Sequence, residues 1–223
     1  MEILHRDNLQ LGGFAGLKEH RIVMDPKAFG THVNPGTWSG IGNFVYLADA
    51  RFNPKGETHM HDHREIDVIS VMVEGRIAHE GSLEHGQELD TFDVQVQRAG
   101  GEGFSHNEVN PDEVTSRMIQ LWVLPDKQGQ PAGYKVYHPK WGELLDIYGG
   151  TSEQKETFDS QTFLKVGMLN LRQKFDLGKN FIAYLATGEG MANGIEIHEG
   201  DLFRGNNLDF EAKEKSLVII AYT

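Results

Sequence analysis

The chain has 223 residues, enough for one large or two small domains, with 39% hydrophobic residues, 26 glycines and only 7 prolines. It contains no cysteine, which excludes disulfides, thiolate metal sites and a cysteine nucleophile, and fits a reducing compartment. A net charge of −12 argues against a generic nucleic-acid or anionic-membrane surface, since phosphate binding needs clustered Lys and Arg.

Taken in chain order, residues 1–35 read as irregular, with turns signalled at Gly12-Gly13 and Asn34-Pro35-Gly36. No charged-then-apolar leader opens the chain, and the cytoplasm is the expected location. Asn43 to Ala48 reads as a first strand, and Phe52 to Gly56 as a turn. Val68 to Val73 is a strand ending at Glu74-Gly75, and Arg76 to Glu80 resumes it. Val94 to Gln97 alternates as a half-buried strand should, and Met118 to Val123 is another strand. From Pro125 to Pro139 the composition shifts to Pro, Gly, Lys and Gln, which marks a domain linker. Beyond it, Trp141 to Tyr148 is expected as one short helix. Strands are expected at Thr162 to Met168, Leu169 to Phe175, Asn180 to Ala186, Gly194 to Ile197 and Leu217 to Tyr222. The longest apolar runs are strand-sized and too short to span a bilayer as helices. The pattern predicts an all-β protein of sandwich or barrel type.

Two clusters carry the chemistry. His59-Met60-His61-Asp62-His63-Arg64 places imidazoles at alternate positions, and Gly103-Phe104-Ser105-His106-Asn107-Glu108 follows. Side chains two apart on a strand share a face, so His61 and His63 can reach one point, and His106 and Glu108 can close on it from a second strand. Three imidazoles and one carboxylate suit a borderline divalent metal such as iron and leave positions open for a small substrate. Ligand imidazoles must be neutral, so metal affinity is expected to fall below about pH 6.5. Asp67 is a candidate to orient a ligand imidazole, and Glu57 and Glu102 are candidates for the site entrance. His79, His85, His138 and His198 lack ligand spacing and default to surface or hydrogen-bonded histidines. Trp122 reads as core. The glycines of Ala99 to Gly103 lack the Lys-Ser/Thr of a phosphate loop, and Ser105-His106 lacks the partners of a hydrolase triad.

These residues resemble the pirin family of the cupin superfamily. The first cupin motif is matched by His61-Asp62-His63, Asp67 and Gly75, and the second by Gly103, His106 and Asn110. The pirin H-P-H-R element corresponds to His61-Asp62-His63-Arg64. His79-Glu80-Gly81-Ser82, Ala99 to Gly103 with His106-Asn107-Glu108, Gln120-Leu121-Trp122, and Asp25-Pro26 with Phe29-Gly30 continue the likeness across residues 20–135. Asp62 stands where Pro is usual, Asp67 where Glu is usual and Asn107 where Ser is usual, while His59 is an extra imidazole.

The resemblance implies a bicupin: residues 1–133 an N-terminal metal-binding cupin, and residues 134–223 a degenerate C-terminal cupin of structural role. It implies metal ligation by His61, His63, His106 and Glu108, with iron(II) first and manganese, nickel, copper or zinc as alternatives. It further implies a quercetin 2,3-dioxygenase-like activity on small aromatic enols with O₂, Glu108 acting as general base through loose or switchable coordination. The resemblance equally admits a metal-dependent, redox-sensing regulatory protein with a protein partner and no turnover, or a cupin that binds a small ligand without turnover. Neither direct nucleic-acid binding nor a membrane association is expected.

Overall fold

A computed structural model describes residues 1–83 and 86–223 of the chain. It forms two compact units: Leu9–His138, and Met1–Asn8 together with Pro139–Thr223. Strands dominate the secondary structure of the described residues. One four-residue helix, α1 (Pro26–Phe29), is started by Asp25, whose carboxylate accepts from the Lys27 N–H, with Pro26 in its first turn. None of the described helices is long and apolar enough to cross a membrane.

In chain order the strands are β1 (Glu2–His5), β2 (Leu11–Phe14), β3 (Leu17–Met24), β4 (Phe44–Phe52), β5 (His61–His63), β6 (Asp67–Glu74), β7 (Ile77–Gly81), β8 (Glu88–Leu89), β9 (Val94–Arg98), β10 (Phe104–Val109), β11 (Ser116–Val123) and β12 (Gly133–Tyr137). They continue with β13 (Glu143–Gly150), β14 (Ser160–Leu169), β15 (Lys174–Thr187), β16 (Glu189–Ala192), β17 (Ile195–His198), β18 (Asp201–Ala212) and β19 (Ser216–Tyr222).

In the Leu9–His138 unit a seven-stranded sheet runs β12-β9-β6-β11-β4-β3-β2, and a four-stranded sheet runs β5-β10-β7-β8. All their named pairings are antiparallel. The core lies between the two sheets: Phe52, Met72 and Met118 of the larger one meet Ile77 and Leu89 of the smaller. β6 gives Met72 to this core, and its Val68 to Val73 run is buried throughout. β9 is buried on both faces as well, so Gln95 and Gln97 point inward and not to solvent. They stay inside because they are hydrogen-bonded, Gln95 Nε2 donating to Gln97 Oε1 at 2.8 Å.

The other unit is one sheet of order β13-β14-β19-β15-β18-β16-β17, with β1 pairing β18. Its interior is filled by apolar side chains, among them Phe181, Phe203, Phe210, Leu185 and Ile197.

Several expectations are corrected. The first 35 residues are not irregular: β1, β2 and β3 lie there. Charge hid β3, because Glu19 is buried against Arg21 and Tyr46 in a position that reads as polar and exposed. Residues 141–148 do not form a helix but enter β13, whose register shifts twice along β14. Those shifts break the period-two alternation and leave Leu144, Leu145 and Tyr148 at a spacing that imitates a helix face. Leu169 to Phe175 is not one strand, since the chain turns between β14 and β15. β18 carries no clear strand signal because Gly205-Asn206-Asn207 in its middle resembles a turn, yet it pairs with β15 on both sides of those residues. The stretch 125–139 is not all linker, because β12 within it pairs along β9.

Candidate metal centre and cavity

The two clusters meet by strand pairing. β5 and β10 are antiparallel neighbours in which His61 faces His106 and His63 faces Phe104. Close approaches fix β10 against both of its neighbours, β5 and β7. Gly103 has φ +75°, and a Cβ there would lie 2.8 Å from the carbonyl oxygen of His63. On the other side of β10, Gly81 lies opposite His106, where a Cβ would collide with the Ser105 carbonyl.

The imidazoles of His61, His63 and His106 each offer a ring nitrogen within 4.8 Å of the others. His61 Nε2 and His106 Nε2 are 3.0 Å apart. His61 Nδ1 lies 2.8 Å from the carbonyl oxygen of His59 and donates to it, which leaves the Nε2 lone pair of His61 turned to the cluster. His63 Nε2 and His106 Nδ1 are buried without a hydrogen-bond partner. A buried polar atom left unpaired costs about 1–3 kcal/mol. Three converging ring nitrogens with such unmet capacity fit a divalent cation of the borderline class.

Electrostatics favour the same reading. Burial, reinforced by the neighbouring imidazole of His61, pushes His63 down to about 4. Burial, with His63, His61 and His79 adding to it, pushes His106 down to about 2. Both rings are therefore neutral near pH 7, the form a metal requires.

Glu108 is fully buried but stands outside the 4.8 Å imidazole group. Its Oε1 accepts from Ser70 Oγ at 2.9 Å and its Oε2 from Gln120 Nε2 at 3.1 Å. Burial raises its carboxyl to about 7, against the opposing pull of those two hydrogen bonds. Thr58 ties the loop before β5 to this residue: the Glu108 N–H donates to Thr58 Oγ1 and the Thr58 N–H to the Glu108 carbonyl, both at 3.0 Å.

The remaining candidates fall elsewhere. His59 has φ +64° and an exposed ring near Glu57, so it contributes its carbonyl to the cluster and not its imidazole. Asp67 is buried against the Arg98 guanidinium at 3.1 Å and accepts from the Ala99 N–H. Glu57 accepts from Asn107 Nδ2 at 2.6 Å. Glu102 borders a separate polar hollow beside Arg64 and Ser105. Asn110 staples its own loop through the carbonyls of Asn53 and Val114. His79 is fully buried, 2.9 Å from Gln97 Nε2. His138 and His198 are exposed beside Asp93 and Glu189, and His85 lies outside the described residues.

A cavity of about 590 Å³ opens from the cluster. His61, His63, Glu108 and Gln120 line one part of it, and Phe29, Tyr46 and Trp122 form an aromatic wall. Trp122 is thus not simply core: it stacks on Phe29 at 5.7 Å and stands 5.8 Å edge-on from His63. Glu19 and Arg21 also line the cavity. The sequence reading missed them, because their strand was unrecognised; the alternation of Leu17, Glu19 and Arg21 is the signal that would have placed them on one face. Ser70 was hidden inside an apolar run for a related reason.

Comparison with known proteins bears on the family and the fold. The Pirin family model matches residues 24–123. A Zymomonas mobilis protein provisionally named quercetin 2,3-dioxygenase is 27% identical over 188 residues, which cover 78% of this chain and 80% of the relative. A Pseudomonas aeruginosa protein of the same provisional name is 30% identical over 151 residues, covering 63% of this chain and 65% of that one. Among solved structures, the Escherichia coli pirin YhhW in complex with nickel(II) superimposes with a TM-score of 0.82 over 99% of this chain and 97% of its own, at 14% identity, and so shares the fold. Over residues 24–123, within the unit that holds the imidazole cluster, the chain is thus similar to the pirin family.

Proposed function

We propose that the protein is a metal-dependent dioxygenase acting on small aromatic enols of the flavonol type with O₂. The observation that carries this reading is the three-imidazole cluster, two of whose rings, His61 and His63, line a cavity with an aromatic wall. The names of the Zymomonas and Pseudomonas relatives support it. His61, His63 and His106 would hold the ion, with Glu108 as a fourth, switchable ligand. Iron(II) is our first choice, and the nickel(II) in the E. coli pirin makes nickel the first alternative. A divalent ion held there supplies a Lewis acid, and a redox-active one an electron conduit.

The protein's own groups do the rest. The aromatic wall holds a flat ring system, and the surrounding apolar side chains keep water from it. Glu108 would take the enol proton, a role that its carboxyl, raised to about 7 by burial, supports. Ser70 and Gln120 hold both of its oxygens, so the carboxylate is oriented before substrate arrives. The cytoplasm, with its reduced iron and absence of disulfide chemistry, suits this activity and the cysteine-free chain.

The test is anaerobic titration of the iron-loaded protein with a flavonol, followed by admission of O₂. A spectral shift on binding and O₂ uptake that requires both flavonol and metal is the expected result. The absence of any shift at millimolar flavonol removes the reading.

A further inference from the structure

The metal cluster and Glu108 occupy one part of the cavity, but the cavity has a second polar pole. Glu19 and Arg21 sit two apart on β3 and face the same side. The Arg21 Nε donates to Glu19 Oε1 at 2.7 Å, and the Tyr46 hydroxyl donates to Glu19 Oε2 at 3.1 Å. The Glu19 side chain is 4% exposed and that of Arg21 36%. The same pair lines a second, smaller cavity of about 230 Å³ with Gln10 and Asn34, so it forms the partition between two hollows.

Strand register relates this pole to the other one. Arg21 is directly opposite Ala48, Ala48 opposite Gln120, and Gln120 opposite Ser70. Opposed residues of antiparallel strands project to the same face. One row across the inner face of the sheet therefore runs Arg21, Ala48, Gln120, Ser70, and the last two grip Glu108. Ala48 is the gap in that row, and in the next row Ala50 lies between Glu19 and Met118. With strands about 4.8 Å apart, the backbone of Arg21 stands roughly 10 Å from that of Gln120. Two alanines thus floor a slot with a proton-accepting carboxylate at one end and an arginine-glutamate pair at the other. The Trp122 indole N–H, buried without a partner, opens on the same wall.

We propose that Glu19 and Arg21 determine specificity by binding a neutral hydroxyl on the ring of the substrate remote from the enol. The chemistry of the pair selects that group. Arg21 supplies N–H donors to the hydroxyl oxygen. Glu19 keeps lone pairs beyond the two already engaged and accepts the hydroxyl hydrogen. A carboxylate in the same place meets the charge of Glu19 and has no proton to give. An unsubstituted ring leaves both partners without a new contact. The substrate class is therefore a planar polyphenol hydroxylated on its pendant ring. This inference rests on the enol-binding reading above, and it deepens it.

The experiment measures affinity, not turnover. The full chain, nickel(II)-loaded and anaerobic, is titrated with three ligands by quenching of its tryptophan fluorescence: the unsubstituted flavonol, the analogue with a hydroxylated pendant ring, and the analogue with a pendant carboxylate. The hydroxylated ligand is expected to bind roughly ten- to a hundredfold more tightly than the unsubstituted one, the range of a charge-assisted hydrogen bond. The carboxylate analogue is expected to gain nothing. In Arg21→Met the preference falls to near one, with affinity for the unsubstituted flavonol retained. Because that variant leaves Glu19 short of a partner, the double variant Glu19→Gln with Arg21→Met, which removes both charges, is measured beside it. An unchanged preference in the folded double variant overturns the assignment, as does tighter binding of the carboxylate analogue. Failure of all three ligands to bind wild type instead overturns the enol reading itself, and the specificity assignment with it.

Discussion

His63 and His106 are neutral because they are buried, and Glu108 holds its proton to about pH 7 for the same reason. The consequences for stability have opposite signs. Each depressed imidazole contributes stability that is present above its unfolded value near 6.5 and is lost as pH falls toward the folded value, about 4 for His63. Glu108, raised from 4.5 to about 7, contributes stability that is complete below 4.5 and is lost as pH rises through 7. Glu108→Gln removes the second effect. Chemical denaturation of the metal-free proteins is expected to show the variant gaining on wild type by about 3 kcal/mol between pH 4.5 and pH 8.5, as the size of the raised value implies. Curves that stay parallel across that window contradict the burial argument.

The same burial lowers the pH at which two of the three cluster imidazoles take up protons. An exposed imidazole would compete with protons from about pH 6.5. His63 and His106 do so only near 4 and near 2. Metal content measured by elemental analysis after equilibration is expected to fall as the pH drops below about 6.5 and to be lost by about pH 4, where His63 takes up its proton. His63→Ala and His106→Ala are each expected to lose nearly all bound metal while keeping the circular-dichroism spectrum of wild type, because the apolar core of the unit is built by Phe52, Met72, Ile77 and Met118. Loss of the fold in both variants would show that the cluster is structural.

At the level of elements, two short strands carry the site, and their pairing depends on backbone approach more than on side chains. β5 has three residues and is held to β10 beside a glycine turn. Gly103→Ala places a methyl group 2.8 Å from the His63 carbonyl at a residue with φ +75°. The strain of a left-handed alanine and that contact together are expected to cost about 1–3 kcal/mol and to separate His63 from His106. The expected readout is a metal affinity reduced by at least about tenfold, the 10–100-fold range typical when support for metal ligands is disturbed. Unchanged affinity and melting temperature in Gly103→Ala would show that the turn tolerates a side chain. The row Arg21, Ala48, Gln120, Ser70 illustrates the same point on the larger sheet. None of its members is notable alone, and pairing makes them one surface.

On the scale of the whole molecule, the two units differ in what fills them. The Leu9–His138 unit keeps a cavity with polar lining. The other unit closes on Phe181, Phe203, Phe210 and their aliphatic neighbours. Phe210→Ala is expected to destabilise that unit by about 3–5 kcal/mol, as truncation of a buried phenylalanine does. Metal bound per folded chain should stay at the wild-type level, since every cluster imidazole belongs to the other unit. Loss of metal in the folded variant would tie the second unit to the site.

The all-β class, the strands that carry His61, His63 and His106, and the family likeness were legible in the sequence. Alternation every two residues places side chains on a face, and ligand chemistry restricts the residue types. Recognition of β3, of bulged β13 and of β18 failed where charge, a register shift or a polar bend masked that alternation. Only the tertiary structure decided that Glu108 stands back from the imidazoles in the grip of Ser70 and Gln120, that His59 gives its carbonyl, and that Glu19 and Arg21 share the cavity. The physical reason is that a local pattern fixes which way a side chain points along its own strand, whereas its neighbours across strands are set by register, which no single segment encodes.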